Sequence, residues 1–151
     1  MRIGRTGLVV LTSVFVAGAA LAHEGATGVV KERMDLMSDI GDQMKIIGTM
    51  MKSGPYDTAA LAAASGKIAA HGGPAMLKLF PEGSIQEKSE AKQEIWTDWP
   101  KFQAYAGELE ASAQALQDLA EEGAGKELTG PAFGTLAGTC KSCHESFRVK
   151  K

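Results

Sequence analysis

Phe133-Gly134-Thr135-Leu136-Ala137-Gly138-Thr139-Cys140-Lys141-Ser142-Cys143-His144-Glu145-Ser146-Phe147 stands near the end of a 151-residue chain. Within it Phe133, Leu136, Cys140, Cys143 and Phe147 step by three, four, three and four, so they share one face of an α-helix. Both cysteines of the chain lie on this seam, which is expected to face a core. Thr129-Gly130-Pro131 is the predicted opening of the helix.

The same spacing recurs upstream. A first helix is predicted from about Gly28 to Lys52, with Val30, Met34, Met37, Gly41, Met44, Ile47 and Met51 along its stripe and Ser53-Gly54-Pro55 ending it. Asp57 is the expected N-cap of a second helix carrying Leu61, Ser65, Ile68, Ala75, Met76 and Leu79, with a bend or break at Gly72-Gly73-Pro74. Phe80-Pro81-Glu82-Gly83-Ser84 turns the chain, and residues 85–95 form a polar linker with room for a short helix. Thr97 or Asp98 caps the third long helix, whose stripe is Phe102, Tyr105, Leu109, Leu116 and Leu119 and which Gly123 closes. Four amphipathic helices with connections of modest length, and no competing strand pattern, predict an all-α, antiparallel up-down-up-down four-helix bundle. The core of such a bundle is a usual place for a cofactor.

Arg2 and Arg5, the apolar residues 7–21 and the triplet Ala20-Leu21-Ala22 read as a secretory signal peptide over residues 1–22, leaving one domain over residues 23–151. No later stretch is long and apolar enough to span a bilayer, so no stable membrane insertion is expected after cleavage. Removing residues 1–22 takes away two arginines and no acid, which leaves 14 basic and 18 acidic residues and a net charge of −4. Nucleic acid is therefore excluded as a partner, and steering by a basic patch on a partner is expected.

Export to the oxidising periplasm demands a use for two thiols. Cys140-Lys141-Ser142-Cys143-His144 has the C-x-x-C-H form of covalent haem attachment. On a helix both thiols reach one porphyrin edge while His144 turns toward the iron. A thioredoxin-like pair belongs at a helix N-terminus in a βαβ setting, which is absent. Structural zinc needs four protein ligands, and only His23 and His71 remain. A disulfide between helical residues i and i+3 fits poorly. The expected cofactor is one covalent haem c with its iron, bound by Cys140 and Cys143, with His144 as proximal ligand.

With this motif at the C-terminal end of four helices, the chain resembles the cytochrome c′ family. Arg33, Phe80-Pro81-Glu82-Gly83, Glu94-Ile95-Trp96 and residues 139–148 carry the resemblance. It implies one of two branches. In high-spin cytochromes c′ an apolar side chain of helix one covers the distal face, and five-coordinate iron binds nitric oxide or carbon monoxide. In low-spin cytochromes c-556 a methionine of helix one ligates the iron. The deciding position lies four beyond the helix-one arginine, here Met37, and Arg33-Met34-Asp35-Leu36-Met37 looks more like the c-556 branch. The stripe alone does not separate Met37 from Met34 or Met44, since methionine is also a common core filler.

The resemblance also sets Arg33 near a propionate and Arg148 near the proximal side, although cations at a helix C-terminus are ordinary. It implies an electron carrier, not an enzyme, serving redox partner proteins of the periplasm. The alternative is a five-coordinate gas-binding cytochrome c′. A peroxidase-like enzyme is weakest, because the distal stripe offers Met, Val and Ile rather than polar groups. Dimerisation through outward helix faces stays open. His71, Trp96 and Trp99 read as structural residues, and copper at His23 as incidental.

Overall fold

The computed structural model describes residues 25–85 and 88–150. The expected signal peptide and His23 lie outside them. Six helices follow in order: α1 Gly28–Lys52, α2 Thr58–His71, α3 Gly73–Leu77, α4 Glu94–Thr97, α5 Trp99–Glu121 and α6 Lys126–Phe147. The long helices α1, α2, α5 and α6 form the predicted antiparallel four-helix bundle, and α3 is the continuation of α2 beyond the break at Gly72. No helix of the described residues is long and apolar enough to cross a membrane.

The elements begin and end where local chemistry dictates. Asp57 Oδ1 accepts from the amides of Ala59 and Ala60 at 2.9 and 3.1 Å, two donors that a helix leaves without intrahelical partners. Gly72 stops α2 for a packing reason as well as a conformational one. A Cβ there would come within 2.7 Å of the Glu110 amide nitrogen, so α2 and α5 approach each other at this point only across a glycine. Gly123 ends α5 with φ of 78°.

Three expectations change. The last helix starts at Lys126, ahead of Thr129-Gly130-Pro131, and contains Pro131. Thr129 is fully buried rather than a terminal cap, its hydroxyl held by the Gly125 carbonyl and by Tyr56 Oη. Asp98 precedes α5 without capping it through its side chain. In α1 the fully buried stripe is Val30, Arg33, Ile40, Gln43, Ile47 and Met50, whereas Met34, Met37, Gly41, Met44 and Met51 are only half-buried. The reason is neighbourhood: α1 packs chiefly against α2 and lightly against α6, so the methionine side of the helix is the side turned away from α2.

The core joins Leu61, Ile68, Leu116, Leu136, Ile47 and Ile95, all essentially inaccessible, and Cys140, Cys143 and Met37 pack against its edge. At one end Phe80, Phe102 and Phe147 stack in sequence, at centroid separations of 4.6 and 5.5 Å, with Trp99 against Phe102 and Tyr105 against Phe147. Edge-on and tilted pairs of this kind are favourable beyond simple burial. Trp96 anchors the linker by donating Nε1–H to the Phe80 carbonyl. At the other end Tyr56 Oη donates to the Ala124 carbonyl at 2.6 Å, tying the turn after α1 to the turn before α6.

Candidate haem site

Cys140 and Cys143 are free thiols on α6, three residues apart and half-buried. Burial pushes both thiols up, Cys143 to about 11, with smaller contributions there from neighbouring Cys140 and Glu108. His144, next along the helix, is exposed, and its imidazole is pushed down first by burial and then by Arg148, which favours the neutral, ligating form. Among the described residues no cluster of three or more His, Cys, Asp or Glu gathers as a metal site. The donor set fits haem: two sulfurs and one imidazole on consecutive turns, with an open cleft lined by Lys141, His144, Glu145 and Arg148.

The opposing wall comes from α1. A Cβ on Gly48 would sit 3.8 Å from Phe133 Cζ, so Gly48 marks where α1 meets α6. Met37 lies eleven residues before Gly48, and His144 eleven residues after Phe133. Eleven residues are close to three turns and about 16 Å of rise, which returns a side chain to nearly the same face. Because α1 and α6 run antiparallel, these two steps go the same way along the bundle. Met37 and His144 each lie about three turns from the Gly48–Phe133 contact, in the same direction along the bundle. Gly41, Met44 and Gly48 continue that side of α1 along a second open cleft.

The two arginines singled out from sequence do different work. Arg33 is buried and turns all its donors to the loop after α3: Nε and Nη2 to the Leu79 carbonyl, Nη1 and Nη2 to the Ser84 carbonyl, Nη2 to Ser84 Oγ and Nη1 to Ser89 Oγ. Its Cζ also lies 4.0 Å over the Phe80 ring. These bonds hold the guanidinium against the loop after α3. Arg148 pairs with Glu90, Nε to Oε2 at 2.6 Å, within reach of His144.

Sequence reasoning missed the strap that this pair closes. Ala91 and Arg148 form an antiparallel bridge, with the Val149 amide donating to the Glu90 carbonyl and the Lys92 amide to the Phe147 carbonyl. Residues 88–93 have no apolar period, and only the two partners together reveal the pairing. His71, read as a helix-end residue, bonds Asp39 Oδ2 of α1 at 2.7 Å on the side away from Met37.

The sequence model described as Cytochrome C' matches residues 28–148. This chain belongs to the cytochrome c′ family. A cytochrome c′ from Pararhodospirillum photometricum is 34% identical over 120 residues, covering 79% of this chain and 94% of that one. A cytochrome c-556 from Agrobacterium fabrum is 34% identical over 128 residues, covering 83% and 84%. The solved cytochrome c′ from Rhodopseudomonas palustris superposes with a TM-score of 0.76 at 30% identity, covering 83% of this chain and 99% of that one. As in the rest of the cytochrome c′ family, the cofactor is a single covalent haem c with its iron.

Proposed function

We propose that this cytochrome c′ family protein is a periplasmic electron carrier in which Cys140 and Cys143 form the haem thioethers, His144 is the proximal iron ligand and Met37 the distal one. What supports this reading is that Met37 packs against the same core edge as Cys140 and Cys143, and that Met37 and His144 lie an equal number of turns from the Gly48–Phe133 contact. A bound haem of this kind supplies a one-electron ferric/ferrous couple, and a thioether ligand raises its potential. The chain's part is to hold. Cys140 and Cys143 would fix the porphyrin edge to α6, and Met37 would occupy the distal position that an exogenous ligand needs. With His144 and Met37 both held on helices, little would have to move when an electron passes. No residue is assigned a catalytic role.

The comparisons favour a second reading. The family description and the solved neighbours are those of cytochromes c′, which supports a five-coordinate site where Met37 only covers the distal face and small diatomics bind. Relatives named cytochrome c-556 match at a similar level of identity. Titrating the ferrous holoprotein with carbon monoxide separates the two readings. The electron-carrier reading expects an unchanged spectrum at ligand concentrations that saturate an open five-coordinate site. Ready formation of a carbonyl adduct establishes the gas-binding reading instead.

A further inference from the structure

α1 and α6 touch each other only lightly, and the contact marked by Gly48 and Phe133 lies about three turns from both Met37 and His144. Toward those two residues the helices are joined instead through residues 88–92. Ser89 is the joint. Its Oγ accepts from Arg33 Nη1 of α1 at 3.3 Å and from the Ala91 amide at 3.2 Å. Ala91 pairs in turn with Arg148, and the flanking main-chain bonds, from the Val149 amide to the Glu90 carbonyl and from the Lys92 amide to the Phe147 carbonyl, measure 2.8 and 2.9 Å. Glu90 Oε2 accepts from Arg148 Nε at 2.6 Å, and Lys92 Nζ donates to the Ser146 and Glu145 carbonyls at 3.0 and 3.3 Å. The strap thereby supplies donors to carbonyls that the last turn of α6 leaves without intrahelical partners. Arg33 stands four residues before Met37, and Arg148 four residues after His144. A continuous run of bonds therefore begins one turn from one of these residues and ends one turn from the other.

We propose that the strap is a positioning device for the iron's distal side: Ser89 and Glu90 fix the separation of α1 from the end of α6, and so set how readily Met37 clears the distal face. The proposal rests on the electron-carrier reading, in which Met37 and His144 are the axial ligands. An exposed ion pair is worth little alone, and 51% of the Arg148 side chain is exposed. Here the two main-chain bonds set its register, so that the Glu90–Arg148 pair and the Ser89 hydroxyl belong to one chain. Links in series differ from independent stabilising contacts, because cutting either one releases the same motion and cutting both adds nothing. The fold does not hang on the strap alone. Arg33 lies over Phe80, and Phe80, Phe102 and Phe147 carry packing from α1 to α6 by a second, apolar route that holds the bundle when those bonds are removed.

Cyanide binding to the ferric holoprotein, followed by stopped flow at neutral pH, reads that motion. The ligand is then chiefly neutral hydrogen cyanide, so a change of surface charge does not steer it. With Met37 on the iron the rate reaches a ceiling set by its departure. Ser89→Ala and Glu90→Gln are each expected to raise that ceiling by about fivefold or more, and the double variant by no more than either. Ser89→Thr, which keeps the hydroxyl, restores the wild-type ceiling, and Tyr56→Phe, a change at the far end of the bundle, leaves it where it was. Single variants that match the wild type, effects that multiply in the double variant, or an equal rise in Tyr56→Phe overturn the proposal. A wild-type rate that climbs in proportion to cyanide without a ceiling overturns the Met37 assignment instead. The slopes of the same variants then replace the ceilings and decide the role of the strap by the same pattern, with Met37 as a cover rather than a ligand.

Discussion

Arg33 donates to the Leu79 carbonyl oxygen twice, from Nε at 3.0 Å and from Nη2 at 2.8 Å. One turn before Met37, α1 is thereby pinned to the loop that also reaches α6 through Lys92 and Phe147. Arg33→Ala leaves the Leu79 and Ser84 carbonyls short of a charged donor and is expected to cost about 2–4 kcal/mol. Arg33→Lys restores only part, because an ammonium lacks the fork that serves both carbonyls. Denaturant unfolding of the holoprotein measures both losses.

Gly72 allows α2 to approach the backbone of α5 at Glu110. In Gly72→Ala the new methyl meets main-chain atoms at 2.7 and 2.8 Å, which have no rotamer through which to yield. The expected cost is about 1–3 kcal/mol of overpacking. A melting temperature unchanged from wild type would show that the two helices separate freely here.

Asp39 links α1 to His71 of α2, and its carboxyl is held below the usual carboxylate range, first by the hydrogen bond to His71 and then by that from Gln43. A carboxyl depressed in the folded state takes its proton later than in the unfolded chain. Its stabilisation is therefore complete above the ordinary carboxylate pKa and lost as pH falls through the folded value. The wild type is expected to exceed Asp39→Asn in urea midpoint at neutral pH, and the gap to close in acid. A gap independent of pH would assign the link no ionic character.

Tyr56 Oη bridges the Ala124 carbonyl and Thr129 Oγ1 at the end of the bundle far from the haem motif. Tyr56→Phe removes that donor while keeping the ring, and about 1–2 kcal/mol of stability should go with it. The absorption spectrum of the holoprotein should stay as it is, since the substitution lies away from the cleft.

Much of this was legible in the sequence because it depends on local spacing. The bounds of α1, the Asp57 cap, the break at Gly72 and the shared face of Cys140, Cys143 and Phe147 all follow from residues within one or two turns. What was not legible depends on neighbours. Arg33 and Gln43 sit in the buried stripe of α1 while Met34 and Met44 do not, and only the position of α2 decides that. The Glu90–Arg148 pair joins residues 58 apart in sequence, and the turn that places Pro131 inside α6 is held by Thr129 with Tyr56, 73 residues away.

The central claim is that Met37 ligates the iron together with His144. The ferric absorption spectrum of the holoprotein, recorded beside Met37→Leu, tests it most directly. A low-spin wild type and a high-spin variant are the expected pair, since leucine fills the space but offers no lone pair. A high-spin wild type whose spectrum is little altered by the substitution would contradict the assignment and leave Met37 as a cover over a five-coordinate site.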